Sequence, residues 1–133
     1  MGDLNTHKGA DTIDSVITLG SNILEFALLG KTTLDKKKFN ICIDNYSSDD
    51  YLEKLTTIDP DIIWLPNMVE ETYSFTFSEA LTYDAVIVTS DIKVFAERGK
   101  SYNNVLVYRK DSTPREWENH LIHAIQSFNS RLD

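Results

Sequence analysis

The fold class that this sequence predicts is α/β, built on a parallel sheet, and three observations carry the prediction. Short apolar runs alternate with segments of helical period along the whole chain, the pattern of strands joined by right-handed crossover helices. Two of the runs, Asp61 to Leu65 and Ala85 to Thr89, are continuously apolar and rich in isoleucine and valine, as strands covered on both faces are. The last stretch opens on Thr113-Pro114-Arg115-Glu116, a capping box with proline at the first helical position. Trp117, Leu121, Ala124, Ile125 and Phe128 then fall on one face of the long helix that follows.

Taken in order, the first residues, MGDLNTHKG, read as the end of a strand entering a turn at Gly9, with the beginning of that strand absent, as in an excised piece of a longer chain. Ala10 to Leu19 carries Ile13, Val16 and Ile17 at helical spacing and stops at Gly20. Ile23 to Leu29, ended by Gly30, reads as a buried strand, although its period alone admits a helix. The lysine-rich segment 31–38 is a solvated connection to a second short strand, Phe39 to Ile43. Ser47 or Ser48 with Asp50 supplies a cap for a helix that begins near Tyr51 and ends before Pro60. A short helix starting near Phe75 lies between the two central strands. Ile92 to Arg98, stopped by Gly99, is another short helix, and Asn104 to Tyr108 is the last strand. The sum is one domain with a sheet of about five or six strands.

The chain's 133 residues suffice for one core without metals or disulfides, and 41% apolar with 26% charged residues is a folded, globular composition. Cys42, the single cysteine, sits in an apolar run and reads as a buried strand thiol. The amino terminus has no apolar core of a signal peptide, and no window approaches a membrane-spanning length, so a reducing cytoplasm is the expected setting. A net charge of −8 disfavours nucleic acid and anionic lipid as partners and makes any phosphate ligand depend on local positive groups. His7, His120 and His123 form no ligand set, so no bound metal or cofactor is expected. Phosphate-loop, dinucleotide and serine-hydrolase motifs are absent from the sequence.

Function concentrates in Pro66 to Asp91, PNMVEETYSFTFSEALTYDAVIVTSD, where two strands flank one helix. Glu71 falls in the loop and Glu79 about one turn inside the helix, so both can face the crevice beyond the carboxyl ends of the strands, where open parallel sheets bind ligands. Thr72, Tyr73 and Ser74 lie where the helix begins, and the first amides there have no intrahelical partner, an arrangement that receives phosphate. The plainer readings are a solvated Glu71 and a Glu79 stabilised by the helix dipole by about 0.3–1 kcal/mol.

The spacing from Glu71 to Glu79-Ala80, with an apolar strand ending at Pro66 before it and one ending at Ser90-Asp91 after it, resembles the donor-binding signature of retaining GT-B glycosyltransferases. ETYSFTFSEAL is similar to the bacterial family 4 variant of that signature. AVIVTSDIKVFAER resembles the segment after it, and Lys8-Gly9 resembles the lysine-glycine that follows the first strand of the same domain. The likeness spans roughly the whole chain and implies a Rossmann-like three-layer domain, the C-terminal, donor-binding half of a GT-B enzyme. It implies that Glu71 contacts the donor sugar near the reacting carbon, that Lys8 offsets the leaving diphosphate, and that Gly9, Thr72, Tyr73, Ser74 and Glu79 help bind the donor, Glu79 through the ribose hydroxyls. The implied partners are a nucleotide sugar and a glycan or other acceptor held by an N-terminal domain outside this chain. The implied setting is cell-surface polysaccharide synthesis, at the inner face of the membrane for a full-length enzyme.

Two positions depart from the family pattern. Asp3 stands where arginine is frequent, which weakens an anion site. Asp84 stands where glycine usually ends the helix with positive φ, a role that aspartate fills at some cost. The alternatives are a non-catalytic, receiver-like module, for which Asp3, Asp44 and Asp91 are an incomplete acid set, and a degenerate glycosyltransferase-like domain that serves structure or interaction.

Overall fold

The computed structural model describes residues 1–132, with side chains described for residues 1–129. Along it run α1 (Ala10–Thr18), β1 (Ala27–Leu29), β2 (Ile41–Ile43), α2 (Tyr51–Ile58), β3 (Ile62–Leu65), α3 (Phe75–Ala80), β4 (Val86–Ser90), α4 (Lys93–Gly99), β5 (Val105–Tyr108) and α5 (Pro114–Leu132). Every strand pairing is parallel. The α/β class and the small Rossmann-like architecture are those predicted, but the hydrogen bonds divide the strands into two sheets, β1-β2 and β3-β4-β5. No ladder joins β1 to β3 among the described residues.

Side-chain alternation along the strands builds the three layers. Ile63, Leu65 and Ile87 point to one face, where Leu55 of α2, Phe77 and Ala80 of α3 and Phe95 of α4 cover them. Val86 and Val88 point to the other, against Val16 of α1 and Trp117, Leu121 and Ala124 of α5, with Ile62 and Trp64 at the margin. β4, paired on both sides, is buried throughout, which explains why its sequence is a continuous apolar run. α5 starts as its capping box requires: the Thr113 N–H donates to Glu116 Oε1 at 2.9 Å and the Glu116 N–H to Thr113 Oγ1 at 3.2 Å.

Several elements differ from the sequence reading. The run from Ile23 is a strand only over Ala27–Leu29, because β2 offers just Ile41–Ile43 to pair with it and Ile23 itself is exposed. The first residues, in keeping with the reading of a strand end, make one parallel bridge, Leu4 with Thr32, and the Gly2 and Leu4 N–H groups donate to the Leu29 and Lys31 carbonyls. Cys42 is half-buried on the short outer strand β2, its Sγ 3.5 Å from Asp44 Oδ1, and burial pushes the thiol pKa up. Gly99 does not stop α4 but is its last residue. A Cβ there would lie 3.0 Å from Val105 Cγ1, so glycine lets α4 pack closely on β5. Asp84 is not at positive φ; among the described residues Asp59, which closes α2 at φ 51°, is the non-glycine residue that is.

Candidate functional site

The site forms where the loop after Leu4 meets the loop after β3. A single turn of 3-10 helix, Thr6–Lys8, is capped at its start by the Asn5 side chain and ends on Gly9 in the left-handed region, φ 89°. Gly9 is also the residue from which α1 departs. A Cβ on it would fall 2.3 Å from the Pro66 carbonyl oxygen, so glycine is required by contact as well as by dihedral angle. The Met68 N–H donates to the His7 carbonyl at 2.9 Å and ties the two loops together.

That junction sets Lys8 against Glu71. Lys8 Nζ lies 2.5 Å from Glu71 Oε1, and Asn67 Nδ2 donates to Glu71 Oε2 at 3.0 Å, so both carboxylate oxygens are engaged. The two charged side chains keep 30% and 24% of their exposure, which leaves the pair open to a ligand. Asn67 is buried, and its carbonyl accepts from Ser90 Oγ at 2.5 Å, at the end of β4. The sequence reading did not single out Asn67, whose only signal was a polar residue directly after a buried strand. Nor did it foresee the use of Glu70, which is not merely solvated: its carboxylate accepts from the Lys93 N–H at 2.6 Å and caps α4. Of the two adjacent acids, Glu71 is therefore the one that faces Lys8.

The three residues before α3 have separate fates. Ser74 is its N-cap, with Oγ accepting from the Phe77 N–H at 3.1 Å, and its carbonyl accepts from Arg98 Nη1 at 3.0 Å. Tyr73 pairs its hydroxyl with Ser78 Oγ at 2.8 Å and lies under the Arg98 guanidinium, 4.4 Å from the ring centre. Thr72 is exposed. Arg98, another residue that sequence reasoning passed over, holds this corner by donating to Ser74 and Ser78 together. α3 has only six residues, so its dipole at this end is small, and the Ser74 cap already occupies one of its first amides.

Glu79 is in the last turn of α3 rather than the first, where the helix dipole disfavours a carboxylate. The dipole explanation for this residue therefore fails. Its side chain has no hydrogen-bond partner among the described residues, and burial raises its pKa. Glu79 is near Tyr46, whose own pKa is raised first by burial and then by the Glu79 charge. Tyr46, hydrogen-bonded to Thr76, lines a polar cleft of about 400 Å³ with Gly2, Asp3, Lys31 and Asp44, beyond the carboxyl ends of β1 and β2. Asp3 accepts from the Lys31 N–H at 3.1 Å. Lys8, Gly9 and Glu71 thus come together in one cluster, with Tyr73 and Ser74 in a second and Glu79 beside a third; Glu71 and Glu79 share no partner.

No metal-binding group of three or more His, Cys, Asp or Glu side chains occurs among the described residues, and no helix there is long and apolar enough to cross a membrane. Compared with models of known protein families and with curated proteins, the chain matches none.

Proposed function

We propose that this chain is the donor-binding domain of a retaining GT-B glycosyltransferase, which passes a hexose from a nucleotide sugar to a glycan or other acceptor held by a second domain. The observation that carries the reading is the Lys8–Glu71 pair, made by residues 63 apart in sequence and set at the carboxyl ends of parallel strands. A cation and a carboxylate side by side match a donor with a diphosphate on one side of the reacting carbon and sugar hydroxyls on the other. Lys8, released from Glu71 by the incoming diphosphate, stabilises the charge that grows on the leaving phosphate. Glu71, still held by Asn67, accepts hydrogen bonds from the sugar. Glu79, partly buried and without a hydrogen-bond partner among the described residues, supplies acceptors for a ribose diol. Gly9 keeps the loop close enough for these contacts, and Thr72, Tyr73 and Ser74 border them. Cytoplasmic work at the inner face of a membrane, in cell-surface polysaccharide synthesis, belongs to this reading.

A second reading, a degenerate domain that has lost donor binding, is favoured by Asp3 and Asp44 in the polar cleft, where one lysine, Lys31, stands beside two acids. A backbone amide NMR titration with UDP, GDP, ADP and CMP, each to several millimolar, separates the two. Saturable shifts confined to Lys8, Thr72 to Ser74 and Glu79, lost in Lys8→Ala, support donor binding and identify the base. Unchanged spectra with all four nucleotides reject it in favour of the degenerate domain.

A further inference from the structure

Tyr73 and Phe75 stand 51% and 77% exposed, Phe75 more than any other large apolar side chain among the described residues, and their rings meet edge to face with centroids 5.1 Å apart. Neither belongs to an apolar cluster of the core, so burial does not account for them. A lone exposed ring needs no explanation, but this pair is built into the fold. From the core outward, the fully buried rings of Phe95 and Phe77 lie 5.2 Å apart, and the Arg98 guanidinium sits 4.9 Å from the centre of Phe77 and 4.4 Å from that of Tyr73, which carries Phe75. Arg98 is fixed by its bonds to the Ser74 carbonyl and Ser78 Oγ, and the Tyr73 hydroxyl meets the same Ser78 Oγ at 2.8 Å. A ring held by such a ladder has little freedom left to lose on meeting a ligand.

Size and charge narrow what the rings meet. Together they expose on the order of 250 Å², well short of the about 800 Å² per partner of a stable protein contact. A net charge of −8, with Glu70, Glu71 and Glu79 in the same stretch, opposes an anionic membrane or an acidic glycan. An aromatic face carries the negative side of the ring quadrupole and attracts polarised C–H groups. A pyranose whose hydroxyls are equatorial presents a flat set of axial C–H groups on each face, with its hydroxyls at the rim. Thr72, exposed beside Tyr73, offers a hydroxyl to that rim.

We propose that Tyr73 and Phe75 form a stacking platform for one unit of a neutral glycan, a β-linked chain of pyranoses with equatorial hydroxyls, and that this platform is the foothold of the acceptor on this domain. The role as acceptor rests on the donor-binding reading, while the binding of the sugar does not. Tyr73 follows Glu71 by two residues, which puts their Cα atoms no more than about 7 Å apart. A glycan stacked on the rings therefore ends close to a sugar held by Glu71. The ring pair shares no hydrogen-bond partner with the Lys8–Glu71 pair, so the two sugars occupy separate ground.

The test is a titration of the 133-residue chain with cellotetraose in the absence of nucleotide, read by saturation transfer from protein to sugar and by the ring signals of Tyr73 and Phe75. Saturable binding is expected, with the strongest transfer at the axial C–H protons. Phe75→Ala, at a position too exposed to endanger the fold, should weaken binding about fivefold or more. Tyr102→Ala, which removes an exposed ring outside the ladder, should leave it unchanged. The proposal is overturned if cellotetraose does not bind at tens of millimolar, if Phe75→Ala binds it equally well, or if the chain is a dimer that Phe75→Ala dissociates, which would assign the rings to a protein contact. Nucleotide shifts at Lys8 without cellotetraose binding would end this inference and leave the donor reading intact. Cellotetraose binding without any nucleotide response would keep the platform and end its role as acceptor site.

Discussion

Gly9→Ala is the substitution whose cost can be worked most directly from the structure, with Gly20→Ala as its matched control. Both glycines are left-handed, at φ 89° and φ 69°, but their surroundings differ. A Cβ on Gly20 meets nothing closer than the Thr18 carbonyl at 4.0 Å, whereas one on Gly9 would sit 2.3 Å from the Pro66 carbonyl oxygen. The dihedral cost of about 1–2 kcal/mol applies to both, and the lower entropy of the unfolded alanine chain returns about 0.4–1 kcal/mol in each case. Gly20→Ala should therefore lose about 1 kcal/mol. At Gly9 the colliding atom is backbone at the end of β3, tied through Met68 to His7, so it cannot rotate aside. An overpacking penalty of about 1–3 kcal/mol is added, for a total near 3 kcal/mol. With a urea m-value of about 2 kcal/mol/M, the midpoint should fall by about 1.5 M for Gly9→Ala and about 0.5 M for Gly20→Ala. Equal shifts for the two variants would refute the claim that contact with Pro66, rather than the dihedral angle alone, fixes glycine beside Lys8.

Three further outcomes are expected. Ser74→Ala removes the cap on Phe77 and should destabilise by about 1 kcal/mol in urea unfolding, whereas Thr72→Ala, at an exposed position, should be nearly neutral. Burial, and then the Lys8 charge, lower the Met1 amino group from 8.0 to about 6. Between those values the unfolded chain holds the proton more often, so stability should rise with pH across that window, by at most about 2.7 kcal/mol, and amino-terminal acetylation should flatten the rise; a stability equally flat from pH 6 to pH 8 with and without acetylation would show that the amino group is solvated. Asn67→Asp replaces the amide donor on Glu71 with a second carboxylate and should cost about 1–3 kcal/mol at pH 7, partly recovered near pH 4.5, as read from urea midpoints at the two values.

Local signals carried the fold well where local energetics decide it. The Thr113–Glu116 capping box, the helical spacing of Ile13 and Val16 and the doubly covered run of β4 each state their outcome within a few residues, and each is realised. The misses lie where a residue's role depends on something distant in sequence. Ile23 to Phe26 looks like a strand, but strand formation needs a partner, and β2 extends only to residues 41–43. Gly99 looks like a helix stop, yet what it admits is the Val105 side chain. Of the candidate site, Lys8 and Glu71 were legible as separate residues through their likeness to a known pattern, and the structure brings them together. Asn67, Glu70 and Arg98 were not legible, because each acts on a backbone or carboxylate group that only the folded loops bring near. The position of Glu79 also matters: a carboxylate one turn inside a longer helix and one in the last turn of a short helix look alike in a string of letters until the six-residue length of α3 is known.

The closed state of Lys8 on Glu71 need not oppose a ligand. Both side chains are roughly a quarter exposed or more, and ion pairs that reach solvent contribute only about 0–1 kcal/mol net. Replacing Glu71 by a diphosphate as the partner of Lys8 therefore sacrifices little, and Asn67 still satisfies the released carboxylate. The larger electrostatic obstacle is at a distance: a chain of net charge −8, with Asp3 and Asp44 in the neighbouring cleft, repels an anion before it arrives. Long-range repulsion of this kind is screened over about 8 Å at physiological ionic strength, while a contact with Lys8 in a partly buried site is screened far less. Mobile salt thus removes more of the obstacle than of the attraction, which is how one lysine in an acidic domain can still serve as an anion contact.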